Sequence, residues 1–188
     1  MSCLLPDKRC VAIDFETSGA AGYSACAVGL ARIENGAVSD VFYSLIRPPS
    51  SYIRFTEIHG LTWDMLRDAP TFAELQPALA DFLRDTDVLL AHNAQFDRGV
   101  LRACCRYFNA PLPDIPFLCT LKGARCGLPY LPSKKLSAVC ARFGIALNHH
   151  HAGSDATACA EVYLRLRAQG VSDSSMALQG DLSVPLSP

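Results

Sequence analysis

The sequence predicts an α/β domain built on a mixed sheet, and three observations lead to that prediction. The chain has 188 residues, the size of one domain. Half of its residues are apolar and 19% are charged, a composition that excludes a disordered chain. Two strand-like runs flank an Asn-Gly turn, and short apolar runs then alternate with segments of helical period. A hairpin followed by strand–helix units is typical of a mixed sheet.

The first predicted elements are strands. Residues 10–14 read CVAID, a short apolar run that indicates a buried strand. Residues 25–33 and 38–46 flank the Asn-Gly pair at 35–36, which favours an antiparallel hairpin. We therefore expect the first half of the sheet to be antiparallel.

The remaining segments alternate in type. Apolar residues recur at helical spacing in two segments of the middle of the chain and in two near its end, and two short apolar runs lie between helices. We expect helices over 71–83, 94–108, 136–143 and 155–166, and strands over 87–91 and 115–119. Periodicity ends after Gly170, so a domain over 1–170 and a flexible tail over 171–188 are expected.

Charge and cysteine content limit the function classes. The net charge of −1 argues against a protein that coats long stretches of nucleic acid, because such domains are usually basic. Nine cysteines, an odd number without a CxxC pair, argue against a disulfide framework or a zinc ribbon. The chain shows no signal peptide, and its longest aliphatic run is too short to span a membrane. We expect a cytoplasmic protein without membrane contact.

Two acids follow the first predicted strand. Asp14 and Glu16 are separated by one residue, so in a strand both side chains point to the same face. Strand ends commonly carry catalytic groups in α/β sheets. The alternative is a solvated pair where a loop begins, because D-x-E tripeptides are common.

A second candidate segment reads AHNAQFD. Asn93 is expected to cap the following helix with its side-chain oxygen, and Asp97 then lies in the first helical turn. From these residues alone, a capped helix with a favourable acid is the better interpretation.

A third candidate is the run of histidines at 149–151 before Asp155. Three consecutive ligands rarely converge on one ion, because neighbouring side chains diverge, so one proton-accepting histidine near Asp155 is the preferred interpretation. His151 and Asp155 share a helix face if the helix begins early, whereas His150 lies one residue further back. From the spacing alone, either His150 or His151 could be the proton acceptor.

Five segments together resemble a known family. In order, they are VAIDFETSG, EIHGLT, LLAHNAQFDRGVL, LSAVCARFGI and HHAGSDATACAEVYL, within about residues 9–169. They resemble the DEDD exonucleases of the histidine subtype, which include DNA polymerase III proofreading (epsilon) subunits, exonuclease X, ribonuclease T and oligoribonuclease. The resemblance implies a ribonuclease H-like fold, a mixed five-stranded sheet with an N-terminal antiparallel hairpin and helices on both faces.

The resemblance also implies a site. Asp14, Glu16, Asp97 and Asp155 take the four acidic positions and are expected to hold two Mg²⁺ or Mn²⁺ ions. The family pattern H-x-A-x-x-D-A assigns the catalytic histidine to His150. Substrate contacts are expected at Thr17, Ile58, His59 and Asn93, with Ile58 and His59 resembling the wedge that packs on terminal bases. The alternatives are an ordinary core position for Ile58 and a satisfied turn for His59.

The function implied by the resemblance is a metal-dependent 3′–5′ exonuclease that acts on single-stranded ends and releases nucleoside 5′-monophosphates. DNA is favoured over RNA. One alternative is an exoribonuclease for RNA 3′ ends or short oligonucleotides, and another is a non-catalytic accessory subunit of a polymerase. Expected partners are a single-stranded DNA or RNA 3′ end and a polymerase or other replication or repair protein, and a homodimer is compatible with the composition.

Overall fold

The computed structural model describes residues 8–178, which form a single five-stranded sheet of order β3-β2-β1-β4-β5. Along the chain the strands are β1 Cys10–Thr17, β2 Ala25–Glu34, β3 Ala37–Leu45, β4 Val88–Ala91 and β5 Phe117–Cys119. Strands β1, β2 and β3 pair antiparallel, whereas β4 is parallel to both β1 and β5. The predicted mixed sheet and its hairpin are confirmed.

Helices connect the strands and cover them. They are α1 Thr56–His59, α2 Trp63–Leu66, α3 Phe72–Phe82, α4 Ala94–Tyr107, α5 Thr120–Gly127, α6 Leu136–Phe143, α7 Ala152–Ala168 and α8 Asp173–Met176. The sequence did not predict α5, whose two glycines hide its helical period. No helix between residues 8 and 178 has the length and apolar character needed to cross a membrane.

The core is divided by the sheet into two layers. Along β1, the buried side chains alternate: Val11 and Ile13 pack on the side of α3 and α4, and Cys10 and Ala12 pack on the side of α6 and α7. Helices therefore cover both faces, as predicted. Seven of the eight cysteines in the described part of the chain are buried free thiols, which fill the core as small apolar side chains.

The packed domain extends further than the predicted boundary at Gly170. Met176 and Leu178 are buried, and Ala177 forms a bridge with Leu118 of β5. The buried carboxylate of Asp173 accepts a hydrogen bond from the Tyr163 hydroxyl at 3.0 Å. The prediction of a flexible tail is therefore wrong for 171–178, because one short helix satisfies its polar groups without a visible period. Residues 179–188 of that tail lie outside the described residues.

Candidate active site

Four acids meet where the carboxyl ends of β1 and β4 lie side by side. Asp14 and Glu16 extend from β1, Asp97 lies in the first turn of α4 and Asp155 in the first turn of α7. Carboxylate oxygens of Asp14, Glu16 and Asp155 lie within 4.8 Å of one another. The fourth acid, Asp97, is 2% exposed and accepts a hydrogen bond from the backbone N–H of Phe15 at 3.1 Å. The structure thus brings together all four acids that the sequence singled out.

Burial and neighbouring negative charges raise the pKa of three of these acids, Asp14, Glu16 and Asp97. Burial raises the pKa of Asp14 well above its usual value, and the charges of Asp97, Asp155 and Glu16 add to that effect. Burial, with the charge of Asp155, raises the pKa of Glu16 to about 7. Burial also raises the pKa of Asp97, although backbone N–H groups that donate to its carboxylate oppose the shift. Several negative charges in so little space favour a divalent cation between them.

A glycine on β2 allows α7 to reach this edge of the sheet. Gly29 pairs with Asp14, and a Cβ atom at position 29 would lie 2.1 Å from the carbonyl oxygen of Ala152. Only a residue without a side chain lets the first turn of α7 lie this close to the strand, and that approach places Asp155 beside Asp14. Gly29 is not among the predicted site residues, although a glycine inside a strand pattern signals close backbone contact.

His151 is the N-cap of α7, which begins at Ala152 rather than at the predicted residue 155. Its Nδ1 accepts a hydrogen bond from the backbone N–H of Ser154 at 3.3 Å, and its ring stacks on Tyr43. In the neutral ring, the proton is then on Nε2. The structure therefore commits the basic nitrogen of His151 to a helix cap.

His149 and His150 lie together against Asp155. The backbone N–H of His150 donates to Oδ2 of Asp155 at 2.9 Å, and Nδ1 of His149 lies 3.2 Å from each oxygen of the same carboxylate. The two rings stack with centroids 3.9 Å apart. The expectation that neighbouring histidines diverge is wrong for this pair, because His150 has a left-handed backbone with φ of 67°. His149 was not predicted as a site residue, because the spacing of the histidines does not indicate the left-handed backbone at His150.

The predicted wedge residues lie on α1. Ile58 is 52% exposed, so it is not the core residue of the alternative interpretation. His59 accepts a hydrogen bond from the Leu61 backbone N–H on Nδ1 and donates from Nε2 to the Thr17 carbonyl at 3.2 Å. His59 is thus a satisfied turn histidine that also ties α1 to the end of β1 next to the acids.

Asn93 differs from its predicted role. It occupies the N-cap position of α4, but its backbone is left-handed, with φ of 75°, and its side chain makes no cap hydrogen bond. The preceding His92 contacts the Thr120 hydroxyl at 2.9 Å and the Lys134 carbonyl at 2.8 Å, which joins the loop before α6 to this edge.

Between residues 8 and 178, two groups of side chains fit a metal ion. Asp14, Glu16 and Asp155 offer only carboxylate oxygens, the ligands that Mg²⁺ and Mn²⁺ prefer. Burial and neighbouring negative charges raise the pKa of Asp14 and of Glu16, and a divalent cation would stabilise both carboxylates in their charged form. His149, His150 and Asp155 offer two nitrogens and one oxygen, also within 4.8 Å of one another.

Comparisons with known proteins place this chain in an exonuclease family. Residues 11–163 match the RNase_T family model, described as exonuclease. The PolC-type DNA polymerase III of Thermotoga maritima is 32% identical over 163 residues, which is 85% of this chain and 12% of that protein. A putative bifunctional exonuclease/endonuclease protein of Mycobacterium tuberculosis is 35% identical over 173 residues, 84% of this chain and 26% of that protein. This chain therefore spans only a fraction of the length of these relatives.

Solved structures confirm the fold. Exonuclease X in complex with 5′ overhanging duplex DNA has a TM-score of 0.71 at 22% identity, covering 89% of this chain and 97% of that one. The nuclease domain of 3′hExo, a DEDDh family member bound to rAMP, has a TM-score of 0.75 at 18% identity, covering 90% and 95%. A zinc-bound form of the E. coli exonuclease I–single-stranded DNA complex has a TM-score of 0.67 at 19% identity, covering 86% and 40%. The predicted ribonuclease H-like sheet with helices on both faces is confirmed.

Proposed function

This chain belongs to the exonuclease family, and we propose that it is a metal-dependent 3′–5′ exonuclease that shortens single-stranded ends one nucleotide at a time. The family is metal-dependent. The direction of digestion, the single-stranded substrate and the use of two Mg²⁺ or Mn²⁺ ions are parts of the proposal.

The convergence of Asp14, Glu16, Asp97 and Asp155 carries the proposal. Two carboxylates 4 Å apart repel by about 4 kcal/mol at an effective dielectric of 20. A fold selected only for stability would not bring four of them together at one sheet edge, two of them buried. Two divalent cations would offset this repulsion and could then bind the negatively charged phosphodiester of a substrate.

The chain's own residues divide the work of hydrolysis. Asp14, Glu16 and Asp155 would hold the cations, with Asp97 completing the acidic set. When bound, two such ions activate a water molecule and stabilise the leaving oxygen of an in-line displacement. The P–O3′ bond breaks as the water oxygen bonds to phosphorus and the water loses its proton. The terminal nucleotide leaves as a nucleoside 5′-monophosphate, and O3′ of the shortened strand takes up a proton and becomes its new 3′-hydroxyl.

His150 is proposed to accept the proton of the attacking water. Burial and the neighbouring His149 lower its pKa, although the charge of Asp155 opposes them, so the ring is neutral and able to accept a proton at neutral pH. The role of His151 as a helix cap supports the choice of His150, which the family pattern also favours.

The substrate contacts are proposed around the end of β1. The exposed side chain of Ile58 offers an apolar surface for the terminal base, and base stacking on such surfaces is tolerant of sequence. The hydrogen bond from His59 to the Thr17 carbonyl holds α1 at the end of β1, so Ile58 and His59 lie near the acids. Asn93 is exposed and makes no cap hydrogen bond, so its amide is available to a nucleotide.

Charge distribution supports a nucleic acid substrate. Because the net charge of the chain is −1, removing the four carboxylates of the site leaves +3. On α4, which begins at the site, Arg102 and Arg106 are exposed and form no ion pair within residues 8–178. Exposed cations along the helix that carries Asp97 can bind the phosphate backbone of a longer substrate.

DNA is the favoured substrate because the relatives above 30% identity include DNA polymerases, in which a segment like this chain forms a small part. That context also supports a polymerase or another replication or repair protein as a partner. An exoribonuclease is the second candidate, since the structural neighbour 3′hExo binds rAMP.

Asp14→Asn tests the proposal. With MgCl₂ and 5′-labelled single-stranded DNA, the variant should be slower than the wild type by more than about 100-fold, since even loss of an outer-shell partner costs 10- to 100-fold. Asp68→Asn, which removes an acid with a 90% exposed side chain, is the matched control and should be unchanged. Equal rates for Asp14→Asn and the wild type would refute the proposed site.

A further inference from the structure

We infer that His149, His150 and Asp155 form a second cation site, selective for Zn²⁺ over Mg²⁺, at which zinc inhibits the enzyme. The site itself depends only on the geometry of these three residues. Its consequence for catalysis rests on the proposed function.

The side chains of the adjacent residues His149 and His150 converge. Consecutive side chains usually point apart, but His150 has φ of 67° and its ring lies on that of His149, with 20° between the planes. A left-handed backbone at a residue other than glycine is uncommon and carries strain that the surrounding structure must offset. Here the backbone N–H of His150 donates to Asp155, which fixes the turn.

The ligand atoms of His149 and Asp155 already lie close to the spacing that a zinc ion requires. Nδ1 of His149 lies 3.2 Å from each carboxylate oxygen of Asp155. In a tetrahedral zinc site with bonds of about 2.0–2.1 Å, neighbouring ligand atoms are about 3.3–3.4 Å apart. The nitrogen and oxygen atoms therefore need little movement to share an ion once the Nδ1 proton leaves.

The chemistry of the ligands favours zinc over magnesium. Imidazole nitrogen binds Zn²⁺ well, whereas Mg²⁺ prefers oxygen and keeps its water. Two histidines and one carboxylate are three protein ligands, which leaves the fourth tetrahedral position to water. The side chain of Asp155 is 4% exposed and that of His149 is 40% exposed. A zinc ion can therefore reach the exposed ring of His149 from solvent and bind the buried carboxylate of Asp155.

The site overlaps the catalytic machinery at two residues. A zinc ion bound to the ring nitrogen of His150 occupies the electron pair that would accept the proton of water. Asp155 also belongs to the oxygen-rich group with Asp14 and Glu16. Because zinc on His150 blocks the proposed proton acceptor, which is not one of the acids, zinc should inhibit even when Mg²⁺ is in excess.

The direct test is calorimetric titration of ZnCl₂ into metal-free protein, without nucleic acid and with excess MgCl₂. Wild type should bind one zinc ion, and His149→Gln should bind it more weakly by over about 100-fold, beyond the usual cost of losing an outer-shell partner. His151→Asn keeps a good helix cap and removes the neighbouring histidine outside the cluster, so it should bind like the wild type. Equal zinc affinity for wild type and His149→Gln overturns the site.

Two further readouts complete the test. CoCl₂ added to the wild type should give the strong visible absorption of a tetrahedral site with nitrogen ligands, and a weak octahedral spectrum overturns the proposal even if His149→Gln misfolds. Zinc inhibition, expressed relative to each protein's own zinc-free rate, should disappear in His149→Gln. Binding without nuclease activity in the wild type would refute the proposed function and leave the zinc site standing.

Discussion

The four acids are costly to the metal-free protein, and this cost is visible at single residues. Burial raises the pKa of Glu16 from 4.5 to about 7, and the charge of Asp155 contributes. A carboxyl group with a raised folded-state pKa gives its full stability only when protonated, below the unfolded pKa, and loses it as pH rises through the folded pKa. Residues of this kind are typical of functional sites, where activity is favoured over stability.

Glu16→Gln should therefore stabilise the metal-free protein at pH 8. The melting temperature should rise by a few degrees, since 1 kcal/mol corresponds to about 2–4 °C for a chain of this size. The advantage should vanish at pH 4.5, where the folded wild type holds its proton, and should reverse with MgCl₂ at pH 8. Differential scanning calorimetry at both pH values checks this, and a variant less stable than wild type at pH 8 without metal would contradict it.

His150→Gln should reduce kcat by about 10²- to 10⁴-fold, the usual contribution of a general base. His151→Asn is the control: asparagine can replace the cap that His151 gives to Ser154, so kcat should stay near that of the wild type. Single-turnover rates on one labelled oligonucleotide distinguish the two. A slow His151→Asn beside a fast His150→Gln would show that the roles are reversed.

Single residues differ in how far sequence predicts them. Asp14 and Glu16 are predictable because a strand puts alternate side chains on one face. The contact of His149 with Asp155 and the missing cap hydrogen bond of Asn93 are not, because both go with left-handed backbone at residues other than glycine, His150 and Asn93. Asparagine and histidine adopt positive φ more often than most residues, but that preference is too weak to predict either conformation.

At the scale of elements, the position of α7 relative to β2 sets the geometry of the site. Gly29 leaves room for the carbonyl oxygen of Ala152, and this contact fixes how far Asp155 reaches towards Asp14. Sequence periodicity predicts that a helix exists here, but the helix begins three residues earlier than expected. Its start is hard to predict because the N-cap is a histidine, and not one of the usual capping residues serine, threonine, aspartate and asparagine.

Gly29→Ala should therefore impair activity through α7. A Cβ atom 2.1 Å from a backbone oxygen forces the helix away from the sheet, at a cost of about 1–3 kcal/mol for overpacking. Urea denaturation and kcat should both reveal the change. Gly99→Ala, on α4 with no atom within 4 Å of the new Cβ, should fold and cut DNA as well as wild type. Equal behaviour of the two variants would contradict the close approach.

For the whole molecule, the sheet separates two core layers and the C-terminal segment closes one of them. Met176 is fully buried beside α5, where a Cβ atom at Gly123 would lie 2.7 Å from its sulfur. The alternation of strands and helices predicts the two layers. The attachment of 171–178 is not predictable in this way, since it depends on separate tertiary contacts such as that of Asp173 with Tyr163.

Met176→Ala should lower the free energy of unfolding by about 2–5 kcal/mol, the usual cost of truncating a buried methionine. Met65→Ala, at a 50% exposed position, should change it by less than about 0.5 kcal/mol. Urea denaturation of both variants measures the difference. If Met176→Ala costs as little as Met65→Ala, residues 171–178 do not contribute to the folded core.

The polarity of digestion tests the central claim most directly. One single-stranded DNA, labelled in separate samples at its 5′ or 3′ end, is incubated with the wild-type protein and MgCl₂. The 5′ label should move down a ladder one nucleotide at a time, and the 3′ label should appear at once as a nucleoside 5′-monophosphate. Immediate release of the 5′ label, internal fragments, or intact DNA would contradict a 3′–5′ exonuclease.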